Sequence, residues 1–283
     1  MSSASPINAL SFDIEDWFHM VDIESLDDPS KWADFPSIVE RETEWILETL
    51  AERDITATFF VLGWIAERYP DLVRAIHDAG HEIGSHSFWH RRVDTLSPEE
   101  FRKDVQDSLD AIRAAGVEHC PGFRAPTFSI VPGTEWAIDT LLDLGFEYDA
   151  SLFPTPREHG GYPCSRDPHL SRIAPSGRTM PELPMSIMDI GPKSTAFSGG
   201  GFFRPFPRSI IRRGFDQCAA AGRPVVVYMH PRDFALGTPH VKMNPVRRFK
   251  CYFGIKGARK KFLWMLDNWD FTSCSEVLAS IRR

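Results

Sequence analysis

The sequence predicts an α/β protein built on a parallel barrel or a doubly wound sheet, and three observations predict it. Strand and helix signals alternate as β-α-β-α from the first residues to about position 230, the rhythm of crossover units. RPVVVYMHP is a continuous apolar run, as a parallel strand covered on both faces requires. Asp13, His86, Arg124, Asp149 and His230 each stand directly after a predicted strand, where both architectures gather their chemistry.

The elements follow in order. SFDIEDWFHM carries Asp13, Glu15 and Asp16 behind a strand whose Leu10, Phe12 and Ile14, with Trp17 and Phe18 beyond, point to the interior. Carboxylates crowded at the end of a buried strand repel one another unless they hold a cation or a proton. Ser37 to Glu40 has the form of a capping box, and Trp45, Ile46, Leu47 and Leu50 carry a helix to about residue 52. ITATFFVLGW reads as a buried strand, YPDLVRAIHDAG as a short helix ended by Gly80, and HEIGSHS as a short strand. Ser97, Pro98 and Glu100 open a helix with Phe101, Val105, Leu109 and Ile112 on one stripe and Gly116 at its end. FEYDA and RPVVVYMHP are the next strands. Residues 154 to 205 are rich in Pro, Gly and Ser and read as a long loop region with a hairpin. With no internal repeat and no linker, residues 1–283 are expected to form a single domain, the basic segment 234–283 packed onto it.

Composition excludes several classes. A chain of 283 residues, 42% hydrophobic, buries a full core, and a net charge of −7 argues against a nucleic-acid binder that works by neutralising phosphates. MSSASPINAL has neither the basic nor the apolar region of a leader, and nowhere do ~18 uncharged apolar residues run together, so a soluble protein with no transmembrane segment is expected. Cys120, Cys164, Cys218, Cys251 and Cys274 are scattered and never form C-x-x-C. They read as reduced thiols of a cytoplasmic protein.

SHSFWH places His86 and His90 four apart, and on a helical turn that spacing aims both imidazoles the same way. A third, acidic ligand would complete a facial site for zinc or a similar divalent metal. The acidic strand end supplies candidates.

SFDIED, TFFVLGW, HEIGSHSFWH, GFRAPTFS, YDAS and VVVYMHP occur in the order of the motifs of NodB-like polysaccharide deacetylases, carbohydrate esterase family 4. The chain resembles that family over residues 8 to 232. ELPMS, FSGGGFFR and the C-terminal tail resemble a bacterial branch tied to surface-polysaccharide biosynthesis. The resemblance implies a distorted (β/α) barrel with about seven parallel strands, and metal-dependent removal of the acetyl group from an N-acetylated sugar. It implies Zn2+ as the cation, with Co2+, Ni2+ or Mn2+ as substitutes, His86 and His90 as ligands, and Asp13 as the general base that activates the attacking water. Most members have two adjacent aspartates where this chain reads D-I-E-D. Side chains two apart on a strand face the same way, which favours Glu15 as the acidic ligand; if the strand has already ended, Asp16 turns in instead. By the same resemblance Arg124 holds the base carboxylate, His230 is the general acid and Asp149 orients it. Phe128, Leu152 and Met229 line the acetyl pocket, and a backbone N–H after His86 or near Tyr162 faces the oxyanion.

Other features carry less. FSGGGFFR lacks the Lys-Ser/Thr of a phosphate loop and reads as a tight turn shaping the substrate groove. His19 and the remaining histidines read as packing or surface residues, and Glu182 as structural or as a sugar contact. From Phe234 to Leu266 there are eight Lys or Arg residues and no acid. That stretch is either a solvated face or a contact for an anionic membrane or lipid-linked glycan, with Phe249, Tyr252, Phe253, Phe262 and Leu263 packing onto the barrel. The partner expected is an N-acetylated saccharide and no nucleic acid. Two other functions are in view: an allantoinase-like cyclic-amide hydrolase on the same fold, and a glycan-binding module without catalysis, which would have no reason to keep base, histidines and arginine together.

Overall fold

The computed structural model describes residues 6–157 and 159–281. Its strands are β1 (Asn8–Ile14), β2 (Thr58–Val61), β3 (Glu82–Ser85), β4 (Gly122–Phe123), β5 (Tyr148–Asp149), β6 (His169–Ser171), β7 (Met180–Glu182), β8 (Ile187–Ile190), β9 (Lys193–Ala196), β10 (Val226–Met229) and β11 (Phe271–Thr272). Its helices are α1 (Val39–Ala51), α2 (Gly63–Arg68), α3 (Pro70–Asp78), α4 (Pro98–Ala114), α5 (Trp136–Asp143), α6 (Gly200–Phe203), α7 (Arg208–Ala220), α8 (Pro245–Tyr252), α9 (Ile255–Leu266) and α10 (Cys274–Ile281).

One sheet runs in the order β10-β1-β2-β3-β4-β5-β7-β6, with β11 beside the start of β1. Each pair from β10 to β7 is parallel, and β6 alone joins antiparallel. The sheet curls into a half-barrel with seven parallel strands in file, which decides between the two architectures that the alternation allows and agrees with the distorted (β/α) barrel that the resemblance implies. Residues 154 to 205, expected as loop with a hairpin, contribute β6 and β7 to the main sheet and fold β8 and β9 into a hairpin.

All of β1 is buried, because its two faces are covered by different groups. Leu10, Phe12 and Ile14 pack outward with Phe59, Val61, Val227 and Met229 under the helices, while Ala9 packs on the other face with Phe60, Val226 and Tyr228. Ser11 and Asp13 share that inner face by the two-residue period of a strand. Phe12 sits 4.9 Å from Phe59, ring to ring, and truncating it to Ala costs about 3–5 kcal/mol. The register Ala9↔Val226 to Phe12↔Met229 on one side and Ser11↔Thr58 to Ile14↔Val61 on the other aligns the carboxyl ends of β10, β1 and β2. Asp13, His86, Arg124 and His230 therefore emerge at one end of the half-barrel.

The helices start where local chemistry supplies acceptors for their free N–H groups. Ser97 and Glu100 form the expected reciprocal box on α4, at 3.2 Å and 2.8 Å, and its Phe101, Val105, Leu109 and Ile112 are buried. The box expected at Ser37 does not form. The Ser37 hydroxyl instead donates to Asp16, whose carboxylate also takes the N–H groups of Ile38 and Val39 and so caps α1 from the end of β1. A carboxylate is the stronger acceptor at a helix N-terminus. Among the described residues no helix is long and apolar enough to cross a membrane.

Candidate active site

The cleft at the carboxyl ends of the strands encloses about 530 Å3 and is walled by Asp13, Glu15, His86, His90, Phe128 and His230 among others. Glu15, His86 and His90 bring one ligand atom each within 4.8 Å of one another, all three side chains being buried. His86 places its Nδ1 2.7 Å from the main-chain oxygen of Arg124, which fixes the ring and leaves Nε2 facing the group. Burial pushes the His86 imidazole down to about 4, so it stands as the neutral form that a metal requires. His90 Nε2 lies 2.7 Å from Glu15 Oε2. The two histidines do not sit on a helical turn. Ser87 and His90 adopt left-handed backbone, φ 65° and 54°, and this loop folds the rings to 5.0 Å centroid to centroid.

The donor set fits a divalent cation. His90 Nδ1 is a buried polar atom without a hydrogen bond, an arrangement that is costly unless a ligand completes it. Two imidazoles and one carboxylate are the borderline donors that zinc prefers. Burial opposes the charge on Glu15, but Arg232 at 2.9 Å from Oε1, and His90 beside it, hold its carboxyl well below the usual range.

Asp13 is set beside this trio. Arg124, wholly buried, donates from Nη1 to Asp13 Oδ1 at 2.7 Å and to Ser11 Oγ at 2.8 Å, and its guanidinium lies 4.1 Å from the centre of the Phe60 ring. Burial would raise the Asp13 carboxyl, yet Arg124, His86 and His230 together keep it below its ordinary value. Its free Oδ2 faces His230 Nε2 at 3.7 Å, and the same nitrogen is 3.5 Å from Glu15 Oε1.

Residues 27–148 match the family model for polysaccharide deacetylase. The chain carries a polysaccharide deacetylase domain. Residues 150–279 match a second model, described as a domain of unknown function (DUF3473), so the two matches meet at β5. The peptidoglycan-N-acetylglucosamine deacetylase of Bacillus cereus is 33% identical over 113 residues, 35% of this chain and 40% of that protein. Chitin deacetylase 1 of Saccharomyces cerevisiae is 35% identical over 96 residues, 34% and 31% of the two chains. The match thus spans less than half the length of either relative. Among solved structures, a Mycobacterium smegmatis protein named for the polysaccharide deacetylases superposes with a TM-score of 0.66 at 21% identity, covering all of this chain and 92% of that one. Puue allantoinase follows at 0.64 and 17%, covering 96% and 89%; both likenesses show the shared fold.

Within this deacetylase domain and its continuation, four expected site residues stand elsewhere. Asp16 faces away from the cleft to cap α1, because the chain turns into a 3-10 helix at Trp17 and Asp16 is its N-cap. Asp149 does not reach His230; it accepts from Ser151 at 2.5 Å and lies opposite Glu182 across the β5 and β7 pair. Leu152 is fully buried in the aliphatic cluster with Val93, Phe101 and Met180, and Met229 points to the outer face with Phe12 and Phe59. Neither lines the cleft. Phe128 does, and it and Thr127 hold consecutive left-handed conformations, φ 61° and 54°, a local strain placed at the cleft wall. The main-chain N–H of Tyr162 bonds the carbonyl of Phe153 and is not free for an oxyanion.

Three site residues escape the sequence reading. Asp233 is the carboxylate that orients His230, Arg204 pairs with Asp233 at 2.8 Å, and Arg232 pairs with Glu15. The signal was present in H-P-R-D, since an acid three positions after a residue that ends a strand reaches back to it as a cap. FSGGGFFR is explained by the same pair: a Cβ on Gly200 would fall within the Asp233 carboxylate, and one on Gly199 within the Tyr228 ring.

Proposed function

We propose that the chain is a metal-dependent N-deacetylase of an N-acetylated saccharide, belonging to a bacterial surface polysaccharide or its precursor. The observation that carries this reading is one cleft in which a Glu15, His86 and His90 trio stands beside a carboxylate clamped by Arg124 and a histidine oriented by Asp233. The named relatives act on peptidoglycan and chitin, which supports an acetylated amino sugar as the class of substrate.

Glu15, His86 and His90 would hold the cation. When bound, it polarises the amide carbonyl and makes water a stronger nucleophile at neutral pH. Asp13 takes the proton of the attacking water on Oδ2, Arg124 keeping that carboxylate ionised and aimed. The C–N bond breaks as His230 delivers a proton from Nε2 to the departing amine, with Asp233 at 2.9 Å fixing the other ring nitrogen. The products are acetate and a free amino sugar. Phe128 and Tyr228 supply apolar wall, and Arg157 lies 5.0 Å above the Phe128 ring.

The deciding experiment is elemental analysis of the purified protein with acetate release from a panel of N-acetylated sugars and oligosaccharides, with and without chelator. Acetate abolished by chelator and restored by Zn2+ is the expected result. Bound metal without acetate from any saccharide overturns the reading and directs the search to cyclic amides; no bound metal under any condition leaves a glycan-binding module.

A further inference from the structure

We propose that α8 and the residues flanking it form a docking face for an anionic bilayer beside the mouth of the cleft. α8 has no buried residue, although it carries Val246 and Phe249, with Phe253 just past its end. These are 67%, 50% and 51% exposed, and Leu236, on the segment leading to the helix, is 65% exposed. They are four of the seven large apolar residues exposed among the described residues, so the display is concentrated here rather than scattered. The spacing of 246, 249 and 253 puts them on one helical face, where the Phe249 and Phe253 rings stack at 4.5 Å.

The helix does not depend on burying that face. Arg204 holds its far end through the carbonyls of Lys250 and Phe253, at 2.6 Å and 2.8 Å. Arg247 holds its near end through the carbonyls of Val21 and Asp22. Polar anchors fix α8 from the inside and leave its apolar side outward.

Charge selects the occupant. Lys242, Arg248, Lys250 and Lys256 are exposed, and none pairs with an acid among the described residues. They belong to a stretch of eight Lys or Arg without an acid, in a chain of net charge −7. Phenylalanine interleaved with unpaired cations on an exposed helix is the composition that enters an anionic headgroup layer. A second copy on the same face would bring two acid-free basic segments together, which like charge disfavours. Arg247, Lys250 and Cys251 of the same helix line the cleft, so docking sets the cleft mouth against the headgroup layer.

The test is co-sedimentation of the full chain with vesicles of equal parts phosphatidylglycerol and phosphatidylcholine, and with vesicles of phosphatidylcholine alone. The vesicles contain no saccharide, so the outcome is independent of the deacetylase reading. Binding should be about tenfold or more stronger to the anionic vesicles and be released by salt. Phe249→Ser with Phe253→Ser, and separately Lys242→Glu with Lys256→Glu, should each weaken it about tenfold with the melting transition unchanged. Equal binding to both vesicles, binding untouched by either pair of substitutions, or no binding overturns the proposal. So does a dimer in sedimentation velocity that the two serine substitutions dissolve while vesicles bind nothing.

Discussion

His230 Nδ1 lies 2.9 Å from Oδ2 of Asp233, and the same oxygen accepts the main-chain N–H of His230 at 2.9 Å. One carboxylate oxygen thus fixes ring and backbone together, and Nε2 has one direction to face, into the cleft. Asp233 is itself held well below the usual carboxylate range, burial being outweighed by Arg204 and His230. His230→Ala is expected to lower kcat for acetate release ~10²-fold or more with metal content unchanged. Asp233→Asn, which keeps the shape but loses the charge, should lower kcat ~10-fold with little change in KM. Asp149→Asn should leave kcat within about twofold, since that residue does not touch the ring; a fall equal to that of Asp233→Asn would overturn the assignment.

The metal trio is tested by separating binding from turnover. His86→Ala or His90→Ala should lose metal and activity together, whereas Asp13→Asn should keep the metal and lose ~10²–10⁴ in kcat. Elemental analysis of the double histidine variant decides the matter: full metal content there would place the cation elsewhere.

Asp16 is predicted to act on stability alone. Its carboxylate accepts from Trp17, Ser37, Ile38 and Val39, and Asp16→Ala strands those donors at the start of α1. The cost should be about 1–3 kcal/mol in urea unfolding, with metal content as in the parent chain. Loss of metal at unchanged stability would restore Asp16 as a ligand.

Glu182 and Asp149 face each other across two parallel strands, both fully buried, each with one carboxylate oxygen lacking a partner. Burial, then the neighbouring Asp149 charge, pushes the Glu182 carboxyl well above its usual range, and burial raises Asp149 too. The folded pair therefore keeps a proton that the unfolded chain releases near pH ~4. Its contribution is full below that pH and declines as pH rises toward the folded value, because the native state binds the extra proton. Glu182→Gln keeps a donor for Asp149 and removes the titration, so its stability should fall less than the parent's as pH rises from about 4. Parallel stability profiles for the two proteins would refute the shared proton.

What the sequence revealed and what it hid divide along a physical line. Asp13, Glu15, His86, Arg124 and His230 were legible because each stands at the carboxyl end of a strand, and parallel sheets place such residues together whatever the details of packing. Asp149 misled because its neighbour is set by β7, a strand of three residues around Pro181 inside a stretch that reads as loop. Leu152 and Met229 were misplaced since apolar identity alone does not say which face of a strand is the cleft. Phe249 and Phe253 read as packing onto the barrel, as Phe262 does; their exposure comes from α8 being held by polar bonds, Arg204 donating to its carbonyls and its own Arg247 donating to those of Val21 and Asp22, which no apolar pattern discloses.

The order of the strands in space differs from their order of manufacture. Glu15, His86 and His90 have all been joined to the chain once residue 90 is made, yet β1 pairs with β10, and the His230 and Asp233 couple lies beyond it. A growing chain therefore holds the residues of the trio long before it holds the couple that faces them. The cleft is complete only when β10, made more than two hundred residues after β1, is laid against it.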